Sequence, residues 1–237
     1  MTARGAFLSC AAALLLLSGC AAQPEPSPDP TGTPAASAAP TAPEPSAAAD
    51  RPLIVCMGDS ITAGYGVYTN DEMFSAYLQE LLGERARVIA YGTPGETLHE
   101  ASVYASPALN AGADMVLLQF GTNDASPSLF HADAFRASAE ALIDAHAAAL
   151  GADQVVFLLP PCIYPVSGDI ASFGMSDNTL AEVRAILSEV CAEKGVTVVD
   201  LYAATRDHPE WFPDGVHPDA DGNRAIAQAI YDTLFTE

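Results

Sequence analysis

The chain has 237 residues, and its 30 acidic side chains outnumber its 9 Lys and Arg, which gives a formal net charge of -21 at pH 7. So acidic a chain repels other anions, which argues against nucleic acid and anionic membrane surfaces as partners. Neutral or cationic ligands fit better, although an acidic surface can also serve solubility alone.

The amino-terminal end has the pattern of an export signal. One basic residue, Arg4, precedes an apolar run from Ala11 to Leu17, which is too short to span a bilayer as a stable helix. The run ends in Leu17-Ser18-Gly19-Cys20, which is similar to the lipobox of bacterial lipoproteins. This resemblance implies a signal peptide over residues 1–19, a lipid anchor on Cys20 and a place on the extracytoplasmic face of the membrane. The alternative is an ordinary secretory signal with a chance cysteine at its end.

Residues 20–50 are expected to comprise the lipidated cysteine and a disordered linker. The segment from Gln23 to Asp50 contains eight Pro and eight Ala and few charges, so it cannot bury enough apolar surface to offset its ordering entropy. Its prolines make it a semi-extended tether. The remaining residues, 51–237, have the length of a single domain with a substantial core.

Three cysteines fall within this predicted domain: Cys56, Cys162 and Cys191. None belongs to a C-x-x-C pair, so the sequence does not support a zinc site or thioredoxin-like chemistry. An odd number permits at most one disulfide. Because each cysteine has apolar neighbours, buried free thiols are the expected state.

Short apolar runs alternate with helical patterns along the domain. Strands are predicted at Leu53–Met57, Arg87–Tyr91, Met115–Phe120, Val155–Leu159 and Val196–Asp200. Helices are predicted at Asp71–Leu82, Ala132–Leu150, Ser176–Lys194 and Asp219–Leu234, with Ser176 as an N-cap and Gly151 and Gly195 as helix ends. Strands that are apolar on both faces and separated by helices indicate a parallel sheet covered on two sides. Right-handed crossovers then give a three-layer α/β/α sandwich with a five-stranded sheet.

Residues with chemical capability follow four of the five predicted strands. Ser60 follows the first, Gly95 the second and Asn123 the third, while Asp214 and His217 lie in the connection after the fifth. Ligands of such sheets bind outside the carboxyl ends of the strands. We therefore expect these five residues to share one edge of the sheet.

Ser60, Asp214 and His217 have the residue types of a catalytic triad. A serine hydroxyl is a poor nucleophile at neutral pH, so it needs a base to take its proton, and that base needs a carboxylate to fix its tautomer. Asp214 and His217 are three positions apart, which lets the carboxylate accept from one ring nitrogen while the other faces Ser60. The alternatives are that Ser60 caps a helix and that His217, Asp214 and Asp219 bind a metal, although this set lacks a second histidine.

Gly95 and Asn123 are candidates for stabilising an oxyanion. The bare backbone N–H of Gly95 and the side-chain amide of Asn123 could each donate to the oxygen that becomes negative when a carbonyl is attacked. Taken singly, the Gly95 segment and Asn123-Asp124 are interpreted as ordinary turns. The other histidines show no partner pattern and are interpreted as surface or core residues: His99, His131, His146 and His208.

These segments, in this order, resemble the SGNH hydrolases, also called the GDSL family, over Leu53 to Leu234. No G-x-S-x-G elbow is present, so the α/β-hydrolases are not the match. The resemblance implies a flavodoxin-like α/β fold and a Ser60, Asp214 and His217 triad. It also implies an oxyanion hole formed by the backbone N–H groups of Ser60 and Gly95 and the amide of Asn123.

Two positions depart from the family pattern, since Ala90 and Pro94 stand where the family often has Asn and Ser. Other segments are similar to a branch that contains sialate and other carbohydrate O-acetylesterases: Gly121–Pro127, Leu159–Pro161, Val199–Tyr202 and Phe212–Pro218. This resemblance implies a serine carboxylic ester hydrolase that removes short acyl groups, with acetyl expected, from sugar hydroxyls without a metal or organic cofactor.

Two other functions are retained as alternatives. The first is a lysophospholipase or thioesterase of the same family, whose acyl groove would be lined by Ile163–Pro165 and Phe173–Met175. The second is a non-catalytic glycan-binding lipoprotein on the same scaffold, because a fold does not fix a function.

Overall fold

The computed structural model describes residues 50–165 and 174–236. The predicted signal peptide, the predicted lipidation site at Cys20 and the linker up to residue 49 lie outside the described residues. Across the described ranges, no helix has both the length and the hydropathy needed to cross a membrane.

Five parallel strands form the centre of the domain. They are β1 (Leu53–Gly58), β2 (Arg87–Gly92), β3 (Met115–Gln119), β4 (Val155–Leu159) and β5 (Thr197–Asp200), in the order β2-β1-β3-β4-β5. The predicted fold class is therefore confirmed, because this is the flavodoxin-like strand order. The chain moves outward from β1 to β2 and then returns to the other side at β3. Crevices at such a switch point are the usual ligand sites of open α/β sheets.

Seven α-helices connect and cover the strands in the described part of the chain. They are α1 (Phe74–Leu82), α2 (Leu98–Val103), α3 (Pro107–Asn110), α4 (Ala132–Leu150), α5 (Asp177–Lys194), α6 (Leu201–Thr205) and α7 (Ala220–Leu234). All four predicted helices are present, and the Ser176 side chain accepts from the N–H of Thr179 as the predicted N-cap of α5. The first is shorter than expected because Met73 is extended and separates α1 from the 3₁₀ turn Asn70–Glu72. The short helices α2, α3 and α6 were not predicted.

Apolar side chains alternate between the two faces of the sheet and make two cores. On one face, Leu118 and Phe157 belong to the cluster that contains Leu142 of α4 and Leu187 of α5. On the other, the neighbouring strand residues Leu117 and Leu158 join Phe74 of α1 and Ile226 of α7. Two buried faces explain why the three inner strands, β1, β3 and β4, are apolar along nearly their whole length.

The three cysteines are buried and free, as predicted. Burial raises the pKa of the Cys56 thiol to about 12. Thiolate is the reactive form of cysteine, so this residue is an inert part of the core.

Candidate active site

The carboxyl edge of the sheet brings Ser60 and His217 into contact. Ser60 lies on a turn after β1, in which the Asp59 carboxyl group accepts from the N–H of Ile61 at 2.9 Å and the Ser60 carbonyl accepts from the N–H of Tyr65 at 3.0 Å. In the described part of the chain no helix begins directly after Ser60, so its side chain is not a helix cap. Its Oγ is 2.9 Å from Nε2 of His217, although 157 positions separate the two residues.

Asp214 holds the imidazole of His217 from the opposite side. Its Oδ2 is 2.6 Å from Nδ1 of His217, and its Oδ1 accepts from the backbone N–H groups of Val216 at 2.9 Å and His217 at 2.8 Å. Burial by itself raises the pKa of this carboxyl, but these hydrogen bonds outweigh burial and hold the pKa below its ordinary value. An ionised acceptor at Nδ1 keeps the proton on that nitrogen, which leaves Nε2 able to accept a proton from Ser60.

The loop after Ser60 packs directly against the loop that carries His217. Gly66 has a φ of 95°, and a Cβ there would lie 2.5 Å from the carbonyl oxygen of Pro218 and 3.1 Å from Cβ of His217. Only glycine permits this approach at that backbone conformation. The ring of Tyr65 lies against the imidazole, with 5.4 Å between centroids. The loop that follows Ser60 therefore helps to hold His217 in position.

Asn223, in the first turn of α7, ties the histidine loop to α1. Its Oδ1 accepts from the N–H of Phe74 at 2.9 Å, and its Nδ2 donates to the carbonyls of Pro218 at 2.8 Å and Asp219 at 3.0 Å. The side chain is fully buried. These bonds join segments that are 149 positions apart, so Asn223 fixes the backbone that follows His217.

Replacing Asn223 with alanine is expected to lower the free energy of unfolding by about 3 kcal/mol, because one N–H and two carbonyls lose their partner in a buried place. Urea denaturation measures this loss. Asn178→Ala is the matched control, since Asn178 lies in the first turn of α5 and is exposed. Equal stability of the two variants would contradict the bridging role of Asn223.

Gly95 lies in a tight turn that exposes its backbone N–H. The N–H of Glu96 donates to the carbonyl of Thr93 at 3.1 Å, and Gly95 has a φ of 80°. Pro94 at the second position and a glycine with positive φ at the third are the signature of a type II turn. Pro94 therefore fits the turn that holds Gly95, although it stands where the family often has Ser.

The candidate oxyanion donors surround one cavity. Among the described residues, the backbone N–H groups of Ser60 and Gly95 have no protein acceptor. The Asn123 amide donates to the carbonyl of Glu96 at 2.9 Å, and a primary amide has a second hydrogen to offer. The cavity beside them measures about 160 Å³ and is lined by Ser60, Tyr65, Pro94, Gly95, Asn123, Met175 and His217. All five predicted site residues except Asp214 line it, and Asp214 lies behind His217.

A buried polar network stabilises the turn that carries Ser60. Asp59 is fully buried, and its carboxyl lies 3.5 Å from the amide nitrogen of Gln119, whose oxygen accepts from the Thr62 hydroxyl at 3.1 Å. Burial raises the pKa of Asp59 to about 7, against the lowering effect of its hydrogen bonds. The sequence pattern indicates a role for the neighbouring Ser60 but carries no signal for this carboxyl.

Asp59 is expected to make the protein less stable as the pH rises. Between the unfolded pKa of about 3.9 and the folded pKa of about 7, the folded chain holds a proton that the unfolded chain has released, so the free energy of unfolding falls with rising pH. Asp59→Asn removes this dependence. Urea denaturation measures the free energy of unfolding at pH 4.5 and pH 8. From the lower to the higher pH, the stability of Asp59→Asn relative to the wild type should increase, whereas that of the exposed control Asp133→Asn should not. Parallel pH profiles of the wild type and Asp59→Asn would contradict the assignment.

The other histidines divide into two groups. His146 is buried and contacts the Ser106 hydroxyl at 2.8 Å and the Leu142 carbonyl at 2.8 Å, and His208 stacks on Trp211 with 3.7 Å between ring centroids. His146 is therefore a core residue, and His208 is partly exposed at the surface. His99 and His131 are exposed, which agrees with their interpretation as surface residues, and both line a second cavity beside Asn123. This cavity depends on the packing of α2 against α4, for which the sequence carries no periodic signal.

The metal alternative for His217 finds no support in the geometry. Within residues 50–165 and 174–236, no group of three or more His, Cys, Asp or Glu side chains is arranged to hold a metal ion.

The residues predicted to line an acyl groove lie in different places. Ile163 is buried against Ala125, Leu180 and Val216, whereas Met175 lines the Ser60 cavity. Phe173 lies outside the described residues.

Comparison with known proteins gives a family and one named relative. The profile of the GDSL-like lipase/acylhydrolase family matches residues 56–225. An acetylxylan esterase of Xylanibacter ruminicola is 26% identical over 215 residues, which cover 78% of this chain and 44% of that protein. The chain thus spans less than half the length of this curated relative.

Solved structures share the fold. A lipase/acylhydrolase from Enterococcus faecalis is 28% identical with a TM-score of 0.64, over 76% of this chain and 93% of that one. A carbohydrate acetylesterase family member from Sinorhizobium meliloti has a TM-score of 0.65 at 22% identity, over 78% of this chain and 100% of that one. The second likeness is evidence for the fold alone.

Proposed function

Since the chain belongs to the GDSL-like lipase/acylhydrolase family, we propose that it is a serine esterase that removes acetyl groups from carbohydrate hydroxyls. The observation that carries this proposal is the hydrogen-bonded series Ser60–His217–Asp214 beside free backbone N–H groups. The acetylxylan esterase relative supports an acetylated glycan as the substrate. The lipobox-like segment ending at Cys20 supports an exported, lipid-anchored location, in which the linker would present the esterase to glycans outside the cell.

In the first half of the proposed reaction, Nε2 of His217 takes the proton of Ser60 as Oγ attacks the ester carbonyl carbon. Asp214 remains ionised and stabilises the imidazolium through Nδ1. The carbonyl oxygen gains the negative charge and accepts from the N–H groups of Ser60 and Gly95 and from the Asn123 amide. Because these donors are in place beforehand, they stabilise the transition state without reorganisation.

In the second half, His217 donates its proton to the sugar oxygen as the ester C–O bond breaks, which leaves an acetyl group on Ser60. Water then attacks the acetyl carbon while Nε2 of His217 takes a proton from the water. His217 passes this proton to the Ser60 oxygen as the bond between that oxygen and the acetyl carbon breaks, and acetate is released. The cavity of about 160 Å³ beside Ser60 is smaller than the ~300–1,000 Å³ typical of ligand pockets, and this size suits a short acyl group.

Asn123→Ala is expected to lower kcat for p-nitrophenyl acetate by about 10²- to 10³-fold, because one donor to the oxyanion is lost. KM should change little, since the hydrogen bond strengthens as the charge develops. Steady-state kinetics measure both constants. The control is Asn110→Ala on the exposed end of α3, and an unchanged kcat in Asn123→Ala would remove this amide from the oxyanion hole.

An ester panel tests the proposed function. Acetylated xylan, O-acetylated sialic acid and p-nitrophenyl esters from acetate to octanoate are given to the wild type and to Ser60→Ala. Acetate release from a carbohydrate, with rates that fall from acetate to octanoate and depend on Ser60, is expected. A steady rise toward octanoate would favour a lysophospholipase or thioesterase. Absence of turnover on every ester would favour a glycan-binding lipoprotein.

A further inference from the structure

A second cavity adjoins the candidate active site through Asn123. It measures about 290 Å³ and lies between α2 and the first turns of α4. We call it the His99–His131 pocket and define it by His99, Asp124, Phe130, His131, Ala134 and Ser138. Asn123 lines both this pocket and the cavity beside Ser60. The two cavities therefore share Asn123 as a lining residue, which places the second cavity next to the one beside Ser60.

The polar groups of the His99–His131 pocket suit hydroxyl groups. Nδ1 of His99 is 3.3 Å from the Ser138 hydroxyl, and the Asp124 carboxyl accepts from the N–H of Leu98 at 3.1 Å with one oxygen. The His131 side chain is exposed at the start of α4. A neutral imidazole both donates to and accepts from hydroxyls, and an ionised carboxylate accepts from them. Among the described residues that line the pocket, none is Lys or Arg, so an anionic ligand finds no permanent positive charge.

One wall of the pocket is apolar. The rings of Phe130 and Phe135 lie 5.5 Å apart between centroids, and Phe135 is buried while Phe130 remains partly exposed. A few convergent polar groups beside aromatic side chains are the composition of a small-molecule site, and the volume lies near the lower end of the ~300–1,000 Å³ typical of such sites. This space fits one sugar ring.

We propose that the His99–His131 pocket is a subsite for one uncharged sugar unit of the glycan whose ester reacts at Ser60. Asp124 and His131 bind its hydroxyls, and Phe130 packs against its ring. The proposal rests on the proposed function, because it supplies the carbohydrate part of that substrate. It also narrows the substrate, since a uronic or sialic acid unit would place its carboxylate beside Asp124.

Filling the pocket tests this assignment. Ala134 lines the pocket and is exposed, so Ala134→Trp obstructs it without entering a core. Ala145→Trp is the matched control, because Ala145 is exposed on the same helix, nearly on the same face and about 16 Å farther along it. Both changes are made in the Ser60→Ala protein, and xylotriose binding is measured by calorimetry. We expect the Kd to rise about tenfold or more for Ala134→Trp and to stay unchanged for Ala145→Trp.

Two further measurements keep the test decisive. His131→Ala removes an exposed ring and should weaken xylotriose binding in the same direction. A trimer of galacturonic acid should bind more weakly than xylotriose. An unchanged Kd in both Ala134→Trp and His131→Ala, or tighter binding of the anionic trimer, would overturn the proposal.

The reaction itself separates a sugar subsite from an acyl site. With Ser60 intact, Ala134→Trp should lose much more activity on acetylated xylo-oligosaccharides than on p-nitrophenyl acetate. If p-nitrophenyl butyrate is affected instead, the pocket holds the acyl chain and the proposal is wrong. If the wild type releases acetate from no carbohydrate while xylotriose binding still depends on Ala134, the proposed function fails and the sugar-binding pocket stands.

Discussion

Ser60→Ala is expected to lower kcat for p-nitrophenyl acetate by about 10⁴- to 10⁶-fold and to leave the unfolding transition unchanged. The substitution removes the one atom that forms the new bond to the acyl carbon. The backbone N–H of Ser60, the Gly95 turn and the Asn123 amide all remain, so the oxyanion hole is kept. Residual activity should therefore reflect binding and oxyanion stabilisation without a nucleophile.

Burst kinetics and denaturation separate loss of chemistry from loss of fold in this variant. Ser188→Ala is the matched control, because the Ser188 hydroxyl is exposed and its one bond within residues 50–165 and 174–236 is to the Arg184 carbonyl of its own helix. It should keep the wild-type kcat. If Ser60→Ala kept more than about a tenth of the wild-type rate while folded, Ser60 would not be the nucleophile.

The convergence of Ser60 and His217 could be predicted because it depends on topology rather than on detail. Ser60 follows β1, and His217 lies in the connection that follows β5. Parallel strands bring their carboxyl ends to one edge of the sheet. The apolar runs were sufficient to locate the strands, since both faces are covered. The contact of 2.9 Å between Ser60 and His217, which are 157 positions apart, could therefore be predicted from the residue types and their places after the strands.

Contacts that depend on packing could not be predicted. Asn223 joins α7 to α1 across 149 positions, and nothing in its own neighbourhood marks it as a bridge. The His99–His131 pocket depends on how a six-residue helix sits on α4, and a helix of that length is too short to show a period. The turn at Pro94 and Gly95 could have been predicted from the sequence, because Pro-Gly at the centre of a turn predicts type II geometry.

Asp214→Asn is expected to lower kcat by about 10⁴-fold at neutral pH, although the side chain keeps its size. Oδ1 of Asp214 accepts from two backbone N–H groups, those of Val216 and His217. An asparagine here must turn its oxygen toward these donors, which places its NH₂ group against Nδ1 of His217. Nδ1 then becomes the acceptor and the ring proton moves to Nε2. That tautomer cannot take the proton of Ser60.

Asp219→Asn provides the control for this argument. Asp219 lies in the same loop, and its Oδ1 likewise accepts from two backbone N–H groups, those of Asp221 and Gly222, at the start of α7. Asparagine caps helices as well as aspartate does, so this variant loses the same charge from the same loop without affecting the tautomer of His217. A large loss of kcat in Asp214→Asn alone would assign the effect to proton position. Equal losses in the two variants would assign it to the electrostatic potential of the loop and would remove Asp214 from the triad.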